Sequence, residues 1–187
     1  MNNNYPANLY DYFRANPQDF ELRTNMLKKA IWGIITIASI VVIIYPSLIQ
    51  DGWLVRGLAI LIALIGLFNT FVMSSNFYSK KTGGKITGIG TAKFANPPRG
   101  TEPYGPGDMR IINMYEDEDW DNLTNEKTMH DRPMQLQIEA DKEGKVIYLL
   151  LCRYFSNADF RGIAPVKIIS GADYDKYIAR LINLAKN

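Results

Sequence analysis

The chain has 187 residues but only one cysteine and one histidine. Cys152 alone can close no intramolecular disulfide, which fits a reducing compartment. His130 alone supplies no zinc-ligand cluster. A nucleophile pair of Cys152 and His130 is conceivable, yet Cys152 lies inside an apolar run and reads as a small core residue. No Gly-x-Ser-x-Gly elbow, Walker Gly-Lys-Ser/Thr or convincing carboxylate pair occurs. The net charge of +2 lacks the clustered basic excess of a general nucleic-acid binder. These gaps point to a chain without a catalytic centre, metal or cofactor, and without nucleic acid as a partner.

Charge is also missing locally. Residues 30–79 carry two charged side chains, Asp51 and Arg56, whereas residues 76–187 carry 16 Lys+Arg and 15 Asp+Glu. Two uncharged runs, 30–50 and 57–79, each reach the ~20 helical residues needed to cross a hydrocarbon core of about 30 Å. A domain of this size has too little material to wrap two such helices. The sequence therefore predicts a transmembrane helical hairpin over 30–76, with Gln50-Asp51-Gly52-Trp53 as its turn and aromatics at both ends (Trp32, Tyr45, Trp53, Phe77, Tyr78). Lys and Arg flank it on the outside: Arg14, Arg23, Lys28 and Lys29 before it, Lys80, Lys81, Lys85 and Lys93 after it. The positive-inside rule then places both termini in the cytoplasm, in an inner membrane. Small residues (Gly33, Ala38, Ser39; Gly57, Ala59, Ala63, Gly66) either pack the spans together or support self-association. Asn69, the one strongly polar side chain well inside a span, could bond across helices.

Residues 1–29 read as a separate cytosolic segment. Asn16-Pro17-Gln18-Asp19 carries the signals of a helix start and predicts a helix running from Pro17 into the first span. Ahead of it lies an aromatic-rich stretch with Tyr5, Leu9, Tyr10, Tyr12 and Phe13, which either packs on the C-terminal domain or docks a partner.

Residues 77–187 form a cytosolic domain. Apolar and polar residues alternate over 134–141, Lys142–Gly144 makes a turn, and 145–155 is apolar on both faces, as in a central strand. Another strand is expected over 162–169, at an edge because of Pro165. Weaker strands are expected over 85–95 and 109–115, and an amphipathic helix over 172–186 presents Tyr174, Tyr177, Ile178, Leu181, Ile182 and Ala185 on one face. The fold class is a transmembrane α-helical hairpin plus a small α+β domain with an antiparallel sheet and a C-terminal helix.

Three segments hold the remaining candidates. Residues 96–108 contain four Pro and three Gly and read as an irregular loop, with Pro97, Pro98, Arg99 and Tyr104 as candidate partner contacts beside Tyr10 and Phe13. The acidic run Glu116–Asp121 puts Asp at positions 1, 3 and 5 of a calcium-loop pattern, but Asn122 and Thr128 stand where Gly and Glu are needed. It reads instead as a solvated loop or a contact for a basic partner through Glu116, Asp119 and Trp120. Gly83–Gly90 has the glycines of a phosphate loop, but the Rossmann spacing fails at Lys93, and a flexible exit from the membrane fits better. Arg99, Arg110, Arg132, Arg153 and Arg161 would form an anion site if the fold brought them together.

In outline the chain resembles two known architectures. Two spans ahead of a strand-rich domain are similar to the bacterial membrane effectors of cyclic-nucleotide antiphage defence. The terminal helix is similar to that of bacterial pleckstrin-like membrane proteins. The expected function is that of a non-enzymatic inner-membrane subunit, a scaffold of an envelope-spanning assembly such as a secretion apparatus. Its partners would be the bilayer, other complex proteins or a second copy. The alternatives are a ligand-gated effector taking a small anionic ligand, which the first resemblance implies, and an immunity or regulatory protein.

Overall fold

The computed structural model describes residues 5–49, 52–71, 75–94, 106–129, 132–155 and 159–186. They divide into two compact units, Leu22–Phe77 and the combination of Met1–Glu21 with Tyr78–Asn187.

In the first unit, the Asn25 side chain accepts a hydrogen bond from Lys28 N (2.9 Å) and starts a helix at Met26. The helix ends at Ile44, because Pro46 has no N–H to continue it and opens a short 3-10 turn, Pro46–Leu48. A second helix covers Trp53–Phe71. Each has 19 residues, about 28 Å at 1.5 Å per residue. They are long and apolar enough to span a membrane. Only 11% and 17% of their apolar windows are buried within the chain.

Ala59, Ala63 and Gly66 recur at i, i+4 and i+7 and are the buried residues of the second helix. Thr36 and Ser39 are those of the first. A Cβ on Gly66 would overlap Thr36 Oγ1, so the two helices pack tightly at this position. The hydroxyls bond back into their own helix, Thr36 Oγ1 to Trp32 O and Ser39 Oγ to Ile35 O, both at 2.8 Å. Asn69 Nδ2 likewise donates to Ile65 O at 2.9 Å. Ala38 and Gly57 are exposed, away from this seam.

In chain order the helices are α1 (Leu9–Ala15), α2 (Met26–Ile44), α3 (Trp53–Phe71), α4 (Pro106–Glu116), α5 (Trp120–Leu123) and α6 (Ala172–Lys186). The strands are β1 (Phe20–Thr24), β2 (Ser75–Ser79), β3 (Ile86–Lys93), β4 (Met134–Asp141), β5 (Val146–Phe155), β6 (Asp159–Gly162) and β7 (Lys167–Ser170). β1 and β2 pair, and the chain passes between the units inside both. The main sheet is antiparallel, β3-β4-β5-β6, with β7 also on β5.

β5 is the centre. Ile147, Leu149 and Leu151 join a core closed by Ile111 and Tyr115 of α4, Trp120 and Leu123 of α5, and Tyr174, Tyr177, Leu181 and Leu184 of α6. Tyr115 Oη donates to the Leu149 and Pro165 carbonyls (2.7 and 2.9 Å) and accepts from Lys167 N (3.2 Å). Tyr148, Leu150 and Cys152 point to the other face, where the N-terminal segment lies. Phe13 meets the Tyr148 ring edge-on at 5.1 Å, Leu9 N donates to Gln137 Oε1 (3.1 Å), and the Ala7 carbonyl sits over Cys152. β3 carries a bulge between Gly88 and Gly90. Gly90 has φ +152, and a Cβ there would come to 3.0 Å from Ala185 of α6.

Several expectations are corrected. No helix runs from Pro17 into α2. Asn16 ends α1, with its Nδ2 on Tyr12 O (2.8 Å), and Phe20 starts β1 because its ring is buried against Phe13 (4.8 Å). The N-terminal segment is part of the C-terminal unit rather than a separate piece. Residues 109–115 are helical in α4, since Ile111 and Tyr115, four apart, share the core face. Pro106–Asp108 open that helix, which shortens the expected loop. The strand expected over 162–169 is split at Pro165 into β6 and β7. In the β4–β5 turn the left-handed residue is Lys145 (φ 51) rather than Gly144. Gly144 is needed for space, because a Cβ there would crowd Asp141 and Thr82.

The seam makes a testable demand on the hairpin. Gly66→Ala should destabilise it in detergent, read by SDS titration of helicity, and Thr36→Ala should restore the loss by opening room for the methyl. Equal, additive losses in the double variant would contradict this packing.

Candidate contact site

The acidic run is taken up inside the fold. Glu118, at φ 58, turns the chain between α4 and α5. Asp119 caps α5 through Asn122 N (3.2 Å) and Nδ2 (2.6 Å). Glu118 pairs with Lys167 (2.7 Å), and the Glu116 carbonyl accepts from Lys167 Nζ (3.1 Å). Asp121 accepts from Lys176 (2.8 Å), Tyr177 (3.1 Å) and Arg180 (2.6 Å) of α6. The Lys176 bond first, then those of Tyr177 and Arg180, hold its carboxyl below the usual range. These oxygens serve α5 and α6, and among the described residues no group of three or more His, Cys, Asp or Glu could hold a metal ion.

The other sequence candidates separate. Phe13 is 1% exposed and Trp120 is buried edge-on to Tyr115, so both rings serve the chain's own core and neither is a surface contact. Tyr10 is half exposed on α1. Pro97, Pro98, Arg99, Tyr104 and His130 lie outside the described residues. Cys152 is buried, and burial pushes its thiol up to about 12, which removes the thiolate a nucleophile needs. Gly84 and Gly144 are no phosphate cradle. They make room for the buried Asp141 carboxylate, which accepts from Thr82 Oγ1 and from Gly144 N (2.8 Å).

What the sequence did not reveal is a gathering at one end of the sheet. Antiparallel pairing puts Lys93 opposite Gln135, Met134 opposite Arg153 and Arg153 opposite Arg161. The same end holds the described borders of the proline-glycine segment, Phe94 and Pro106, because Arg153 forms an ion pair with Asp108 of α4 at 3.6 Å. Met129 N bonds Lys93 O (2.9 Å), and Arg132 Nη2 lies 3.3 Å from the Met129 sulfur. Arg132 Nε is buried with no hydrogen-bond partner. Arg161 pairs with Asp159 (2.7 Å), and the Lys93 ammonium lies 5.7 Å from the Phe160 ring, itself packed on Tyr154. Of the five arginines singled out above, Arg132, Arg153 and Arg161 come to this end, while Arg110 pairs with Glu126 on the segment after α5.

Four large apolar side chains here, Met109, Met129, Tyr154 and Phe155, are each 41–45% exposed. Aromatic residues, Met and Arg are the types enriched where proteins touch, and Lys and Glu are the depleted ones. Guanidinium forks receive carboxylates bidentately, thioethers adapt to irregular shapes, and rings supply area at low entropy. The clue in sequence was Arg153-Tyr154-Phe155, where an apolar strand turns cationic and aromatic at its end.

The second face of the sheet has a different electrostatic character. Burial alone raises the Glu139 carboxyl, and burial, then the Asp141 charge, pushes Tyr148 up to about 12. A raised carboxyl favours the protonated fold. Stability is therefore greatest below the ordinary Glu range and falls as pH rises through the raised folded value. Glu139→Gln should raise Tm at neutral pH and leave it unchanged at low pH, in melts of the full chain; a Tm loss at neutral pH would contradict a desolvated carboxylate. Comparison with protein-family models, with curated proteins and with solved structures finds no match to this chain.

Proposed function

We propose that the chain is a non-enzymatic bacterial inner-membrane subunit whose two helices anchor it and whose folded unit binds other proteins of a membrane assembly. The observation that carries this reading is the sheet end described above. Four half-exposed Met and aromatic side chains, on both faces of the sheet, share that end with the opposed Arg153 and Arg161. Exposed apolar groups rimmed by charge are the signature of a contact surface.

Two further observations support the anchoring. The helices expose their apolar sides, Lys28 and Lys29 stand in the first turn of α2, and Lys80 and Lys81 follow β2. Residues from before α2 and after α3 fold together in one unit. A chain that leaves a folded unit, crosses a bilayer twice and re-enters the same unit keeps both flanks on one side. The Lys and Arg distribution supports the cytoplasm as that side, by the positive-inside rule.

A photo-crosslinking amino acid at Phe155 in living cells should capture a discrete protein partner, identified by mass spectrometry. The same group at Asn183, on the exposed side of α6, should not. Identical crosslinks from both positions, or none from Phe155, would contradict the reading.

A further inference from the structure

Resting on the anchoring part of that reading, we infer that the hairpin fits a thin bilayer, one whose hydrocarbon core is nearer to about 25 Å than to the usual ~30 Å. Length and charge carry the inference. α2 and α3 have 19 residues each, but neither is uncharged throughout. Lys28 and Lys29 take the third and fourth positions of α2, and Arg56 takes the fourth of α3. The uncharged helix that remains is Ala30–Ile44 in one and Gly57–Phe71 in the other. Each stretch covers about 22 Å at 1.5 Å per residue.

The packing of the two helices gives a second measure. Gly66 meets Thr36 across the seam, so these residues share a depth. From Thr36, Lys29 lies seven positions away from the connecting turn. From Gly66, Arg56 lies ten positions toward it. The two charge levels are therefore about 25 Å apart along the hairpin.

A charged side chain in hydrocarbon is costly. Long cationic side chains relieve a small deficit by reaching outward. Lys29 uses little of that reach, since its ammonium lies 5.8 Å from the ring of Phe71, the last residue of α3. At the other end, Leu48, Ile49, Trp53 and Leu54 lie beyond Arg56 and are 65–80% exposed. Such side chains suit the boundary between headgroups and acyl chains. Sliding the hairpin outward to free Arg56 from a thick core would push them into water and draw Lys28 and Lys29 into hydrocarbon. Tilting shortens the projected length further. What remains is a thin core, or thinning of a thicker one around the hairpin.

The test uses the full chain reconstituted in phosphatidylcholine vesicles, whose zero net charge removes surface potential as a variable. Trp32 and Trp53 belong to the hairpin and are quenched by phosphatidylcholine brominated on its acyl chains, while buried Trp120 of the other unit gives a constant background. Unbrominated lipids with chains of about 14 to about 22 carbons then compete for the hairpin surface. Relief of quenching should peak among the shorter chains, at least about twofold above the longest. Lys28→Leu, Lys29→Leu and Arg56→Leu together leave both helices uncharged over their full length and should move the peak to longer chains. Arg56→Lys alone keeps the charge and should keep the peak. A peak at the longest chains, equal relief at every length, or an unmoved peak in the leucine variant overturns the inference and leaves the anchoring intact. Absence of quenching in every vesicle removes the anchoring reading as well. If the leucine variant does not insert, the profiles of the natural chain and of Arg56→Lys still decide.

Discussion

Successive side chains of β5 alternate between two faces, and from Ile147 to Cys152 every one of them is buried. Such a strand demands cover on both sides. One cover is conventional for a small α+β domain: α4, α5 and α6 close over Ile147, Leu149 and Leu151. Among the described residues, no C-terminal helix covers Tyr148, Leu150 and Cys152. That role falls to Leu9, Phe13 and Phe20, which precede the two long apolar helices in the chain. Burying each such side chain is worth roughly 1.5–3 kcal/mol, a large share of the stability of a small unit. The need to cover one strand therefore ties the start of the chain to its end and brackets the hairpin between them.

How much of this was legible follows the same division. Strong periodicity identified β4, β5 and α6 to within a residue or two, because 134–155 alternates and then turns wholly apolar, and Tyr174, Tyr177 and Leu181 keep helical spacing. Long uncharged runs revealed α2 and α3. Local signals failed where tertiary burial decided. Asn16-Pro17 looked like a helix start, but Phe20 is drawn into the cover of β5 and the chain extends. Met109-x-Ile111-Ile112-x-Met114-Tyr115 fits both periods, and only the partners of Tyr115, Leu149 O and Pro165 O, select the helix. The joining of residues before and after the hairpin is a long-range pairing that no window of sequence displays.

The charged groups show the same limit. An acidic run reads as a surface for a basic partner, yet Glu118 and Asp121 find Lys167, Lys176 and Arg180 of the same chain. Arg132, Arg153 and Arg161 are scattered over 30 positions and become neighbours only through the register of β4, β5 and β6. The candidate site was therefore visible as residue types and invisible as a place. Its apolar part was hidden for a simpler reason: Tyr154 and Phe155 continue the apolar run of β5, and Arg153 just before them is the one sign in sequence that the strand leaves the core there.

The central claim is that the segments on either side of the hairpin belong to one unit on one side of a bilayer. Single cysteines at Ala15, Gly52 and Asp173 in a Cys152→Ser background, probed with a membrane-impermeant thiol reagent on intact cells, test it most directly. Only the Gly52 position, in the turn between α2 and α3, should react from outside, and Ala15 and Asp173 should react together once the membrane is opened. Labelling of Ala15 and Asp173 from opposite sides would contradict the account, because the two could then share no core.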